Sequence, residues 1–247
     1  MPIFWIRIDA RAATRYEKGM NSAIIVAAGR GTRMGPNGDK LFLEVSGRPL
    51  VAHTWQRFNE ADCIHDLVWV VREGMQPAFE ELARRFHFKK PFRLVNGGAE
   101  RQDSVWQGLL ALSPGCEWVA IQDAARPCTP EALIEATLQA AREVGAAVAA
   151  QPVTDTIKES DGAGLIARNI ERSRLWAVQT PQTFRVEVIR RALSRVRELG
   201  LRLTDDTAAC ELIGQPVKLV ESRTPNPKAT APGDIPYLEL LLSGASG

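Results

Sequence analysis

"SAIIVAAGRGTRMGPNGDK", Ser22–Lys40, decides the fold. Its first part is an apolar run of strand type. Its second part carries four glycines (Gly29, Gly31, Gly35, Gly38), two arginines (Arg30, Arg33) and the terminal Lys40. A glycine-rich turn after a strand brings backbone N–H groups close to a partner, most often phosphate. The spacing is not that of a dinucleotide loop, GxGxxG, because the third glycine comes one residue late. Nor is it a Walker loop: Lys40 is preceded by Asp39 and followed by Leu41, where the motif needs Gly and Ser or Thr. An ordinary strand-to-helix turn does not need four glycines together with Arg33 and Lys40. The reading left is a triphosphate cradle, in which Arg33 and Lys40 bring positive charge to a phosphorus that gains negative charge in the transition state. The stretch offers no base to activate an alcohol. A nucleophile already ionised, such as a phosphate monoester, is therefore expected.

Downstream, apolar runs alternate with helical patterns. Helices are expected over Pro49–Glu60, Gln76–Phe86, Asp103–Leu112, Pro130–Val144 (capped by Thr129), Arg185–Leu199 and Asp205–Ile213, with a closing helix after Pro232. Strands are expected at Ser22–Ala28, Asp66–Arg72, "FRLVNGG", "EWVAIQDAARP", "GAAVAAQPV" and "PVKLVES". This alternation predicts an α/β fold: a Rossmann-like, mostly parallel sheet with helices on both faces. Ligands of such sheets bind beyond the carboxyl ends of the strands. That rule selects three loops: Ala28–Lys40, Asn96–Ser104 and Asp123–Pro127.

Thr154–Ala177 breaks the rhythm. "SDGAG" is a turn between two polar, β-capable stretches, so a β-hairpin arm that projects from the sheet is expected. Neither side of it has enough apolar residues to form a core alone. Residues 1–20 read as a disordered extension or the product of an upstream start codon, and 21–247 as one domain bearing the arm at about 154–177. The chain ends soon after its last helix, so no second catalytic domain is expected.

Composition narrows the function class. In 247 residues the net charge is +2, too close to neutral to argue for nucleic acid. No run approaches the roughly 18 apolar residues of a membrane span, and the N-terminus lacks the ordered regions of a signal peptide. The four cysteines form no CxxC pair, which suits a reducing compartment and a cytoplasmic location. The three histidines have no metal-binding spacing and read as surface or packing residues.

The motifs "AAGRGTRMG…K", "GGAERQDSV", "QDAARP", "PVTDTIK", "VQTPQTF", "TDDTAA" and "NPKATAPGD" follow one another in that order. Together they resemble the 2-C-methyl-D-erythritol 4-phosphate cytidylyltransferase family, over about Ser22–Leu242. The first motif alone resembles only the wider sugar-nucleotide pyrophosphorylases, whose nucleotide-diphospho-sugar transferase fold is then implied. The resemblance implies transfer of CMP from CTP to a polyol phosphate, with Mg²⁺ (or another divalent cation) on the triphosphate. It implies Arg33 and Lys40 as the catalytic pair, and Ala28, Gly29 and Gly31 in the phosphate loop. Gly98, Arg101 and Ser104 fall in the cytosine loop. Asp123 matches the acidic residue near Mg²⁺ and nucleotide, and Arg126 follows it. Thr156, Arg172, Thr180, Thr204 and Lys228 match the contacts to methylerythritol phosphate. The chain departs from the family pattern at Ala99, where a small polar or acidic residue is common, and at Arg223, where many members have an acid.

Two other readings compete. One is a ribitol- or glycerol-phosphate cytidylyltransferase; the other is a non-catalytic nucleotide-binding protein. The second is opposed by Arg33, Lys40, Asp123 and Lys228 occurring together, since a sensor needs affinity but no transition-state charge. A hairpin too thin to bury itself also implies a homodimer, and the resemblance implies the same, with Thr156 and Arg172 on the arm facing the neighbour's substrate phosphate.

Overall fold

The computed structural model describes residues 19–29 and 39–244. Gly31, Arg33 and nearly all of the expected N-terminal extension lie outside the described residues. Met20 is described and belongs to the first strand.

In chain order the first half comprises β1 (Met20–Ala27), β2 (Glu44–Val45), β3 (Arg48–Pro49), α1 (Leu50–Glu60), β4 (Asp66–Val71), α2 (Gln76–Arg85), β5 (Phe92–Asn96), α3 (Arg101–Leu110) and β6 (Cys116–Asp123). The second half comprises α4 (Glu131–Val144), β7 (Ala146–Pro152), β8 (Ile157–Ser160), β9 (Ile166–Ile170), β10 (Trp176–Arg185), α5 (Val186–Leu199), α6 (Thr207–Glu211), β11 (Lys218–Glu221) and α7 (Ile235–Ser243). The main sheet has the order β11–β7–β10–β6–β1–β4–β5. Its pairings are parallel except those of β10, which runs antiparallel to both neighbours.

Side chains on successive strand positions point to opposite faces, and here both faces are buried. In β1, Ala23, Ile25 and Ala27 join the layer formed with α1, α2, α4 and α7, whereas Ile24 joins the layer formed with α3, α5 and α6. β4 divides in the same way, with Leu67, Trp69 and Val71 on one face and Val68 and Val70 on the other. Burial on both sides is why these strands read as continuous apolar runs rather than alternating ones. The first layer is anchored by Trp55 of α1, whose ring lies 4.5 Å from Trp69 and 4.9 Å from Phe88.

Three local expectations are corrected. Thr129 does not cap α4: its hydroxyl donates to Asn226 Oδ1 and accepts from Gln122, and Pro130 takes the cap position without a side-chain bond. The helix expected from Asp103 begins at Arg101, because Glu100 and Asp103 form a reciprocal capping box. "AVQTPQTFR", whose first residue falls at the expected end of the arm and whose last falls at the expected start of a helix, is most of the strand β10. Its polar side chains are buried because they find partners, as when Thr183 donates to Thr137 and Gln182 accepts from the Asp206 N–H.

β8 and β9 form an antiparallel hairpin outside the main sheet. Near its turn, Leu165 and Ile166 are 70% and 69% exposed. No helix among the described residues is long and apolar enough to cross a membrane.

Candidate active site

Strand order reverses beside β1: the chain goes on to β4 and β5 on one side, and returns to β6 on the other. A crevice is expected outside the carboxyl ends at such a switch point, and a cleft lies there. Ala28, Gly29, Lys40, Gly98 through Arg101, Ser104, Asp123 and Lys228 are among the residues that line it. Residues named from four separate sequence motifs are thus brought to one place.

Each is held by local chemistry. Lys40 opens a short 3-10 turn capped by Asp39, which accepts from Leu41 N and pairs with Arg72 at the end of β4. This fixes the far end of the glycine loop. Lys40 Nζ donates to Ala229 O at 3.1 Å, next to Lys228 in sequence. The loop after β5 is packed so closely that side chains are excluded. A Cβ on Gly97 would meet Ala28 Cβ at 2.3 Å, and one on Gly98 would meet Asp103 Cβ at 2.3 Å. Ser104 accepts from Gly98 N at 3.1 Å and donates to Glu100 O, so its hydroxyl braces the loop from the first turn of α3.

Asp123 closes β6 and stands at the electrostatic centre. Oδ2 lies 2.8 Å from Lys228 Nζ and 3.7 Å from Arg126 Nε, and Oδ1 lies 3.4 Å from Arg101 Nε. Burial pushes this carboxyl up, but the three cations outweigh it and hold it at about 2. It is ionised at any working pH. Arg101 also meets Asp206 Oδ2 at 2.7 Å through Nη1. Burial opposes the Arg101 charge, and the two carboxylates override it and push the guanidinium further up. Burial raises the Asp206 carboxyl, with Arg101 pulling the other way.

The remaining named residues are placed differently. Thr180 is buried, and its hydroxyl accepts the Asp123 backbone N–H at 3.1 Å. Arg126 donates to Asn226 O at 2.6 Å, and burial lowers its guanidinium despite Asp123. Both brace Asp123 without lining the cleft. Thr156, Arg172 and Thr204 are exposed and do not line it either; Arg172 bonds to Thr154 O across the base of the arm.

Three supporting residues were not singled out from sequence: Gly97, Asp206 and Asn226. Each lies inside a motif already recognised, and none has a side-chain type that announces its task. Asn226 is 1% exposed and joins three segments: it accepts from Thr129 and donates to Gln179 Oε1 and to Thr180 O.

Among the described residues no group of three or more His, Cys, Asp or Glu could hold a metal. Two carboxylates line the cleft: Glu100 is turned to Arg202 and to the α3 cap, whereas Asp123 faces the cleft cation Lys228. A single ionised carboxylate suits Mg²⁺, which keeps waters and is commonly held by one or two carboxylates plus substrate phosphates.

Comparison with known proteins agrees with this geometry. Residues 21–243 match the family model described as IspD: 2-C-methyl-D-erythritol 4-phosphate cytidylyltransferase. A protein of that name from Pelotomaculum thermopropionicum is 39% identical over 227 residues, covering 92% of this chain and 95% of its own. Another from Dehalococcoides mccartyi is 42% identical over 220 residues, covering 89% and 95%. The crystal structure of 4-diphosphocytidyl-2C-methyl-D-erythritol synthase from Anaerococcus prevotii superimposes with a TM-score of 0.80 at 28% identity, covering 91% of this chain and 99% of that one. A sheet with its cleft at the β1–β6 switch point, four converging motifs and a match over nearly the whole length lead to one conclusion: the chain belongs to the 2-C-methyl-D-erythritol 4-phosphate cytidylyltransferase family.

Proposed function

We propose that this chain carries out the reaction for which its family is named. It transfers CMP from CTP to 2-C-methyl-D-erythritol 4-phosphate in non-mevalonate isoprenoid synthesis, giving 4-diphosphocytidyl-2-C-methyl-D-erythritol and pyrophosphate. The chain is a nucleotidyltransferase. The observation that carries the reading is the convergence of Lys40, Arg101, Asp123 and Lys228 on one cleft at the carboxyl ends of β1 and β6.

The chemistry follows from charge. An oxygen of the polyol phosphate bonds to the α-phosphorus of CTP, and the bond from that phosphorus to the α,β-bridging oxygen breaks. The bridging oxygen leaves with pyrophosphate. The nucleophile is already ionised, so no general base is required. The obstacle is bringing two anions together and stabilising the negative charge that builds up between them. Lys40 and, from the glycine loop, Arg33 supply positive charge for that. Lys228 sits where a second phosphate needs a partner, held by Asp123 until substrate arrives. Gly98, Arg101 and Ser104 shape the base pocket. Asp123 would hold Mg²⁺, which when bound offsets the charge of the triphosphate.

The arm completes the proposal. Thr156 and Arg172 stay away from the cleft of their own chain, while Leu165 and Ile166 are left exposed. A homodimer that buries the arm against a second copy explains both, with Thr156 and Arg172 reaching the partner's substrate phosphate. A cytoplasmic location accords with the free cysteines Cys63, Cys116, Cys128 and Cys210.

The test is the fate of a label. CTP labelled at the α-phosphate should pass its label to a CDP-alcohol and leave the pyrophosphate unlabelled. Label recovered only as free CMP would mean hydrolysis and would overturn the reading.

A further inference from the structure

Asp206 is 1% exposed, lies outside the cleft lining, and is tied to it by a single side-chain contact, Arg101. The guanidinium has three edges in use or in reserve. Nε faces Asp123 at 3.4 Å, and Nη1 meets Asp206 at 2.7 Å. Nη2 is buried with no hydrogen-bond partner, and so is Asp206 Oδ1. Both unpaired atoms are costly to bury, so the Nη1–Asp206 and Nε–Asp123 contacts are what hold the side chain in place. The backbone of Asp206 is pinned as well, donating to Gln182 Oε1 at 3.0 Å from β10. The carboxylate is therefore a fixed point, and the guanidinium is oriented against it.

Without that fixed point the energetics change. Asp123 is a competing carboxylate already in reach of Arg101. Freed from Asp206, Arg101 would keep only Asp123, a carboxylate that Lys228 and Arg126 already share.

Resting on the cytidylyltransferase reading, we propose that Asp206 is a positioning residue for the nucleotide: together with Asp123 it fixes the orientation of Arg101, the side chain that lines the cleft. Asp206 never touches substrate. It acts on nucleotide binding through Arg101, although it lies two residues from Thr204, which is assigned to the other substrate.

That placement separates this role from a merely structural one. Asp206→Asn keeps the volume and removes the charge. With saturating polyol phosphate, the KM for CTP should rise about tenfold or more, the value of one charge-assisted hydrogen bond. The kcat should stay within about threefold, and the KM for polyol phosphate should be unchanged. Asp206→Glu should recover part of the loss. In a double-mutant cycle, Asp206→Asn should add little to Arg101→Lys, because both act through one group. A rise in the polyol phosphate KM as large as that for CTP, or full additivity with Arg101→Lys, would overturn the proposal and leave Asp206 a support for its own loop. If Asp206→Asn fails to fold, Asp206→Glu and Arg101→Lys decide by the same ratio of the two KM values. Wild-type protein that turns over no CTP would instead overturn the reading on which the proposal rests.

Discussion

Lys228 Nζ stands 2.8 Å from Asp123 Oδ2, an ion pair that ties the loop after β11 to the carboxyl end of β6. With Arg101 and Arg126 it makes Asp123 the only counter-ion shared by three cations in the described site. The carboxyl is depressed to about 2 from an ordinary 3.8. A carboxylate depressed in the folded state stabilises fully above its unfolded pKa and loses that contribution as pH falls through the folded one. Asp123→Asn should therefore be less stable at pH 7 by about 2 kcal/mol or more, and the gap to wild type should narrow between pH 4 and pH 2. Urea unfolding across that range measures it. A gap independent of pH would show that the ion pairs contribute nothing.

Lys40 is held at the mouth of the glycine loop by the Asp39 cap, with Nζ on Ala229 O. Lys40→Ala should lower kcat by about two orders of magnitude, as removal of one transition-state charge contact does. The CTP dissociation constant, read by calorimetry, should change far less. A folded variant with near-normal kcat would remove Lys40 from the chemistry.

Much of this was legible in sequence because the parallel strands are buried on both faces, and because glycine and charge cluster at the strand ends. Ser22–Ala28 and Asp66–Arg72 read as strands to within two residues of their observed bounds. β10 was not legible. Pro181 and a run of Gln and Thr argue against a central strand, and only partners distant in sequence, such as Thr137 and Asp206, make its burial tolerable. The same cause hid Asp206 and Asn226. Their work is to satisfy groups on other segments, and no local pattern encodes that. Thr129 shows the converse: a good local cap was outcompeted by a buried network.

Gly97 carries a packing constraint that the motif did not disclose. An added Cβ would fall 2.3 Å from Ala28 Cβ and 2.8 Å from Ser104 Oγ, so the end of β1 and the base loop must part. Gly97→Ala should cost about 1–3 kcal/mol of stability, as overpacking does, and raise the KM for CTP about tenfold. Kinetics and thermal unfolding read both. Unchanged values would mean that the two loops are not in register.

The proposed shared-site dimer predicts complementation. Arg172→Ala and Lys40→Ala chains should each be nearly inactive alone. After subunit exchange, one site of the mixed dimer carries both defects and the other carries neither, so activity should return to about a quarter of wild type when the chains mix equally and at random. Scattering that shows a monomer at assay concentration, or proven exchange without recovery, would contradict the arm's assignment.

The central claim, that a cleft built from Lys40, Asp123 and Lys228 joins CTP to 2-C-methyl-D-erythritol 4-phosphate, is tested most directly by pyrophosphate release with Mg²⁺ across a substrate panel. Expected is fast release with CTP and 2-C-methyl-D-erythritol 4-phosphate, with much slower release when UTP, ATP, ribitol 5-phosphate or glycerol 3-phosphate replaces either partner, because a pocket shaped for one hydrogen-bonding pattern leaves polar groups unpaired with another. Equal rates with ATP, or faster release with ribitol or glycerol phosphate, would contradict it.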